Sequence, residues 1–404
     1  MAYDSGSATA APVTDWVNDW DWLDDQWGAN AIEIWNQVRE QCPVATTERY
    51  GRAFMPVTMD AVAKVAHDTE SFSSIWVSVA KPGVPRLPAP PITSDPPDHQ
   101  GHRRLLLPYF SPKAVNGIAE ELRTFCRSLI ADLAGADRAD LSAQYTQHIP
   151  VHGICLLTGL PEGDADMFRD WIYRNFQIAP REPAVRAQVA AEMREYIGAI
   201  LEDRIASPRD DMLTMIANAT INGEPVDWEL KRGYVTLLII AGIDTTWSAI
   251  GSGLWHFAQH PDEVARLVGV PDDDMLWMTG TEEVLRYYAP VTMGRKVVQQ
   301  TEVAGCPVHP GDQMLLTFPA ANHDPAAFED AHVFQLDRGH NRHVAFGLGV
   351  HRCVGSNLAR LELTIALQEF LRAFPNYRLD PDEATTWANG QVRGPRRLPV
   401  LLNG

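Results

Sequence analysis

Neighbouring cysteines are missing from this chain. Cys42, Cys126, Cys155, Cys306 and Cys353 stand singly along 404 residues, with no CxxC pair. That excludes a zinc ribbon, argues against a disulfide framework and suits a reducing compartment. Cations are also scarce: 34 Lys and Arg face 52 Asp and Glu, giving a formal net charge of -18. Nucleic acid and anionic membrane are therefore poor general partners. Long apolar runs are absent too. The most hydrophobic window, Val235 to Ala241, soon meets Asp244 and is too short to span a bilayer. The first five residues, Met1 to Ser5, show no basic stretch followed by an apolar one, so no secretory signal and no membrane anchor are expected. There is no internal repeat or low-complexity tract. What remains is a soluble cytoplasmic globular protein, long enough for one large domain or two ordinary ones.

The first thirty residues hold six aspartates, no Lys or Arg, and Trp16, Trp20, Trp22 and Trp27. The charge predicts a solvated arm, while the indoles predict one that docks on the body. Residues 1–30 are read as an acidic, Trp-rich extension and 31–404 as a single domain. A strand followed by a helix is expected over residues 54–67. Residues 82–97 contain seven prolines, which exclude a regular helix and predict a stiffened loop. Helices are expected over 141–160 and 164–206, a turn at Asn222-Gly223, and one long apolar helix over 228–259. That last helix is interrupted by Ala241-Gly242-Ile243-Asp244-Thr245-Thr246. An acid and two hydroxyls in a buried run are costly unless they have partners or a task. Glu283 and Arg286, three apart on a helix, are able to meet on one face. A strand pair is expected around Pro310-Gly311, and a terminal hairpin near Arg393 to Val400.

The most specific stretch is Phe346-Gly347-Leu348-Gly349-Val350-His351-Arg352-Cys353-Val354-Gly355. It is a glycine-punctuated loop with one cysteine, leading into a helix whose apolar face includes Leu358, Leu361, Ile365 and Leu371. Gly347, Gly349 and Gly355 allow sharp turns and close approach. Backbone amides and the helix dipole there favour a thiolate.

This loop resembles the cysteine-ligand loop of the cytochrome P450 family at every fixed position of Phe-Gly-x-Gly-x-His-x-Cys-x-Gly. Further segments are similar in family order: Asp95-Pro-Pro-Asp-His99 through Arg103, Ala241 to Thr246, and Glu283-Val-Leu-Arg286. The resemblance runs from about residue 50 to the C-terminus and implies a mainly α fold with a small β-rich portion. It implies haem b with Cys353 as the axial iron ligand, a thiolate being suited to O–O cleavage. Phe346, Gly347, Gly355 and Ala241 would line the haem, and His99, Arg103, Arg295 and His351 would hold its propionates. His102 stands where an apolar or aromatic residue is common, leaving its contact open. Asp244 and Thr245 would relay protons, with Glu283–Arg286 as a structural salt bridge. Leu237, Ile240, Ala241, Val291 and Val392 would form the substrate wall, and Arg86 is available for a substrate carboxylate.

The implied activity is a monooxygenase that inserts one atom of O2 into a hydrophobic small molecule. Electrons would come from NAD(P)H through a ferredoxin reductase and a ferredoxin, and the enzyme would act as a monomer. Arg338, Arg342, Arg352 and Arg360 form a basic island suited to an acidic ferredoxin. Two alternatives share the haem: a peroxide-driven peroxygenase, disfavoured by the intact Asp244-Thr245 pair, and a sensor or carrier without turnover. A zinc site from Cys353, His351 and His343 is a further reading, with no other ligands at metal-site spacing.

Overall fold

The computed structural model describes residues 11–81 and 87–403; Arg86 lies outside the described residues. The longest element is the central helix, Trp228–Phe257, started by Asp227, whose side chain accepts from the Glu229 N–H. It is buried on most sides because small residues let neighbours approach. A Cβ on Gly242 would stand 3.1 Å from Ile154, one on Gly251 3.3 Å from Pro395, and one on Gly253 3.3 Å from Leu367 and Val284. By length and composition this helix would cross a membrane, contrary to the window-based reading. However, 67% of its most apolar window is buried inside the protein, so a core position accounts for its hydropathy.

Around the central helix pack Ile149–Thr158, Pro183–Ala206 and the C-terminal helix Ser356–Ala373. The C-terminal helix also lies against Ala119–Asp132 and Met275–Tyr287. The expected helix over 141–160 is in fact two pieces, a π-type turn Ser142–Thr146 and the helix Ile149–Thr158. Residues 164–206 likewise divide into Ala165–Tyr173, a π-type stretch Arg174–Ile178, and Pro183–Ala206. Proline explains both divisions, since Pro150 and Pro183 stand in first turns, where a missing N–H costs nothing. Asn222 and Gly223 take φ values of 54° and 87° in the expected turn.

The β-rich portion is a five-stranded sheet in the order Val44–Thr47, Ala53–Pro56, Gln313–Leu316, Met293–Val297, Phe72–Ser73. The strand pair expected around Pro310-Gly311 turns elsewhere. Thr301–Val303 pairs with Cys306–Val308 through Ala304-Gly305, both at positive φ. Pro310-Gly311 instead leads to Gln313–Leu316 in the larger sheet. Residues 87–97 form no helix. They pack on the central helix, where a Cβ on Gly233 would come 2.4 Å from the Pro88 carbonyl oxygen.

The N-terminal arm is docked. Trp16, Trp20, Trp22 and Trp27 are buried with Trp35 and Tyr50, and Trp20 stacks on Tyr50 at 5.8 Å. Arg49 bridges Asp19 at 2.6 Å and Asp21 at 3.3 Å, and Asp21 also accepts from the Tyr50 hydroxyl. Helix Asp25–Gln41 crosses the expected boundary at residue 30. The arm reaches the other end of the chain as well: Gly390 N–H donates to Trp22 O at 2.8 Å and Arg393 Nε to Gly28 O at 2.7 Å. Truncating a fully buried indole costs about 3–5 kcal/mol. Trp20→Ala should therefore lower the thermal unfolding midpoint clearly, whereas a midpoint within a degree or so of wild type would show that the arm lies outside the cooperative fold.

Candidate active site

The cysteine loop is shaped by two glycines rather than three. Gly347 and Gly349 have φ of 71° and 67°, and a Cβ on Gly349 would meet the Ala66 carbonyl oxygen at 2.7 Å. Gly355, at φ -82°, needs no left-handed freedom. It lies close instead, where a Cβ would be 3.8 Å from Cys353 Sγ and from Phe110. Cys353 N–H donates to Phe346 O at 2.7 Å, closing the turn, and the helix Ser356–Ala373 follows at once. The thiol is accessible, yet enough protein surrounds it that burial pushes its pKa up. The Gly355 N–H, Arg103, Arg352 and Arg360 pull the other way without prevailing. The expected preference for thiolate is thus reversed by desolvation; a coordinating metal ion deprotonates such a thiol outright.

Beside the loop, four cationic or donor side chains gather. The rings of His99 and His351 lie 4.3 Å apart. Burial, with Arg295, His99 and Arg103 nearby, brings His351 down to about 3. Arg295 is buried and donates only to Gly294 O at 2.8 Å; burial lowers it to about 10, against the pull of Asp95. Nε2 of both His99 and His351 is buried with no hydrogen-bond partner. Among the described residues, no acidic side chain is ion-paired with His99, Arg103, Arg295 or His351. Unpaired buried donors of this kind fit the carboxylates of a haem. His102, by contrast, bonds through Nδ1 to the Tyr234 hydroxyl at 2.5 Å.

On the central helix, Leu237, Ile240, Ala241 and Thr245 are accessible within an otherwise buried run. Their spacing puts them on one face. Thr245 Oγ1 donates back to Ala241 O at 2.8 Å. Val291 and Val392 pair across a β-bridge. Asp244 is buried, and Arg396 Nη2 meets its Oδ1 at 2.7 Å. Its Oδ2 is buried without a partner. Burial raises the Asp244 pKa to about 6, with Arg396 opposing the rise.

Glu283 and Arg286 meet at 2.7 Å with both side chains fully buried. Arg338 joins them through Nε at 3.1 Å, and Arg286 also donates to the carbonyls of Asn322, Ala331 and Val333. Sequence reasoning missed Arg338 as the third member and Arg396 as the partner of Asp244. The expected basic island shrinks accordingly. Arg338 is buried on Glu283 and Arg360 pairs with Glu282, leaving Arg342 and Arg352 exposed. The proposed zinc trio has no support: His343 Nε2 bonds Glu282 at 2.9 Å, and the described residues hold no metal-binding cluster of His, Cys, Asp and Glu.

The sequence profile of the family described as Cytochrome P450 matches residues 279–387. The chain is 30% identical over 316 residues to the polyketide biosynthesis cytochrome P450 PksS of Bacillus subtilis, covering 77% of each chain. It is 32% identical over 313 residues to cytochrome P450 107B1 of Saccharopolyspora erythraea, covering 76% of each. The solved structure of PksS from Bacillus subtilis 168 superposes with a TM-score of 0.86 at 26% identity, over 95% of this chain and all of that one. A mainly helical fold with small sheets is what this chain shares with that structure. The chain belongs to the cytochrome P450 family. It is an oxidoreductase of the monooxygenase type, and haem and O2 follow from the family.

Removing one partner of a buried pair costs about 3–5 kcal/mol because the other charge is stranded. Arg286→Ala should therefore yield a protein with a much lower melting temperature that retains little haem on purification. Wild-type melting and haem content would show that the pair does not hold the core.

Proposed function

We propose that the protein is a haem-thiolate monooxygenase that hydroxylates a hydrophobic small molecule, with electrons delivered from NAD(P)H by a ferredoxin reductase and a ferredoxin. The observation that carries this reading is the set His99, Arg103, Arg295 and His351, none ion-paired with an acid among the described residues and the two imidazoles each with a partnerless Nε2, beside the accessible thiol of Cys353. In this reading Cys353 ligates the iron, the four side chains take the propionates, and Phe346, Gly347, Gly355 and Ala241 border the macrocycle. Haem b, when bound, supplies the binding and activation of O2. The chain's own residues orient substrate, exclude water and deliver protons. In this reading Thr245 Oγ1, which donates to Ala241 O, exchanges that partner to hold a proton one residue from Asp244. Residues 31–404 act as one haem domain with the arm packed on it.

Leu237, Ile240, Ala241, Val291 and Val392 are all apolar, so a substrate gains affinity from burial at roughly 25 cal/mol per Å². Terpenoids and alkyl aromatics share the required chemistry. In this reading the protein works in solution as a monomer.

Cys353→Ala tests the ligand. Reduced, CO-bound wild type should show the strongly red-shifted Soret band of thiolate haem, and the variant should lose it together with product formation. An unchanged band in the variant would overturn the reading.

Arg342 and Arg352, exposed near Cys353 in sequence on a chain of net charge -18, are the proposed contacts for an acidic ferredoxin. Arg352→Glu with Arg342→Glu should slow reduction several-fold at low ionic strength, and the difference should fade as salt is added. Rates that ignore both the substitutions and salt would move the docking surface elsewhere.

A further inference from the structure

The acid on the central helix is held from the far end of the sequence. Arg396 lies in the strand Pro395–Arg397 of the terminal hairpin, and its guanidinium is fixed on three sides. Nη2 meets Asp244 Oδ1 at 2.7 Å, Nη1 donates to Ser248 Oγ at 3.0 Å, and the plane lies 4.5 Å from the Trp247 ring centroid. Trp247 is in turn fixed by donating to Ser142 Oγ at 2.9 Å, and Ser142 donates to Pro395 O at 3.1 Å. The strand cannot lift easily. A Cβ on Gly394 would stand 2.3 Å from Ser248 Cβ, and Pro395 packs on Gly251. Asp244 thus has one oxygen occupied and the other, Oδ2, buried and unpartnered.

We propose that Arg396 is the positioning residue of the proton relay: by occupying Oδ1 and pinning the carboxylate plane, it makes Oδ2 the one atom at which Asp244 takes up and gives back its proton. This deepens the proposed function and rests on the reading that Asp244 supplies protons. The step balances without a further reactant. Oδ2 gains a proton from water, hands the same proton toward Thr245, and the carboxylate returns to its original charge beside an unchanged guanidinium. The charged surroundings are simple. From the hairpin, Arg396 is the one charged group acting on Asp244. From helix Ala165–Tyr173, the Tyr173 phenol acts on Arg396. From the C-terminal helix, the buried Glu362 carboxyl, without a hydrogen-bond partner, lies near Thr246, the residue beyond Thr245. A guanidinium is suited to the role because its fork holds Ser248 and Asp244 at once, which an ammonium does not do with the same geometry.

The test is an infrared pH titration of the protonated carboxyl band of Asp244 in the resting haem-loaded protein, the band being identified by its absence in Asp244→Asn. In wild type the band should be single and titrate near pH 6; two bands, from protonation at either oxygen, would overturn the proposal with no variant at position 396 required. In Arg396→Gln the midpoint should rise by about one unit or more, since an opposite charge at this distance lowers an acid by about that much. Arg396→Lys should keep the midpoint close to wild type. Product formed per NADH, followed against pH, should shift upward in Arg396→Gln in parallel with the band, with the lysine variant between it and wild type. An unmoved band in Arg396→Gln, or a moved band with an unmoved coupling profile, overturns the assignment of Arg396. Full coupling in Asp244→Asn would instead overturn the reading of Asp244 as proton source.

Discussion

The fully buried ion cluster of Glu283, Arg286 and Arg338 is the interaction on which the rest of the structure leans. One carboxylate serves two guanidiniums, and it also accepts from the Gln335 N–H and from Asn341 Nδ2. The two arginines spend their remaining donors on the carbonyls of residues 322, 329, 330, 331 and 333. Residues 318–345 contain little regular structure of their own beyond Phe318–Asn322. Their backbone acceptors are satisfied by side chains instead of by a ladder. The segment that leads into the cysteine loop is therefore built around charge, and replacing that charge by apolar groups would leave its carbonyls without donors.

The central helix meets a second constraint, because it must be packed tightly and yet carry polar groups. It does so by giving some polar groups a small neighbour or a matching partner, while Asp244 Oδ2 and the facing Glu362 carboxyl stay without one. Glu362 of the C-terminal helix is fully buried with neither carboxyl oxygen hydrogen-bonded, so burial drives its pKa well above the carboxylate range, with Thr246 opposing. The space for that carboxyl comes from Gly153, where a Cβ would stand 2.0 Å from Oε1. An acid that stays protonated is a neutral donor, which reduces the cost of placing it between two helices. Tyr234 of the central helix and His102 of helix Asp98–Leu106 satisfy each other across the two elements.

Much of this was legible in the residues, and what was not shares one physical character. The loop around Cys353, the pair Glu283–Arg286 and the run Ala241 to Thr246 are local patterns, with their spacing visible in a few positions. The elements built from 3.6-residue periodicity were also found, though the breaks before Pro150 and Pro183 were read through because apolar residues continue across them. Arg338 and Arg396 were not legible as partners. Each is an arginine in irregular or edge structure whose carboxylate lies 55 or 152 residues away, and nothing local distinguishes such a residue from a solvated one. Arg338 was consequently counted as surface charge when it points inward, and Arg360 as free charge when Glu282 holds it. The thiol of Cys353 misled for a related reason: the helix start that favours ionisation is visible in sequence, while the burial that opposes it is a property of the whole packing.

The docked arm has a consequence for how this chain is made. Trp22 and Gly28 find their acceptor roles filled by Gly390 and Arg393, and Asp25 is met by Asn389, contacts that span as many as 365 positions. Synthesis proceeds from the other end, so Trp16, Trp20, Trp22 and Trp27 leave the ribosome long before those partners exist. Contacts of such separation close late and leave apolar surface open meanwhile. Full seating of the arm thus waits for residues 389–393. A polypeptide released before residue 389 lacks the groups that meet the Trp22 and Gly28 carbonyls and the Asp25 carboxylate.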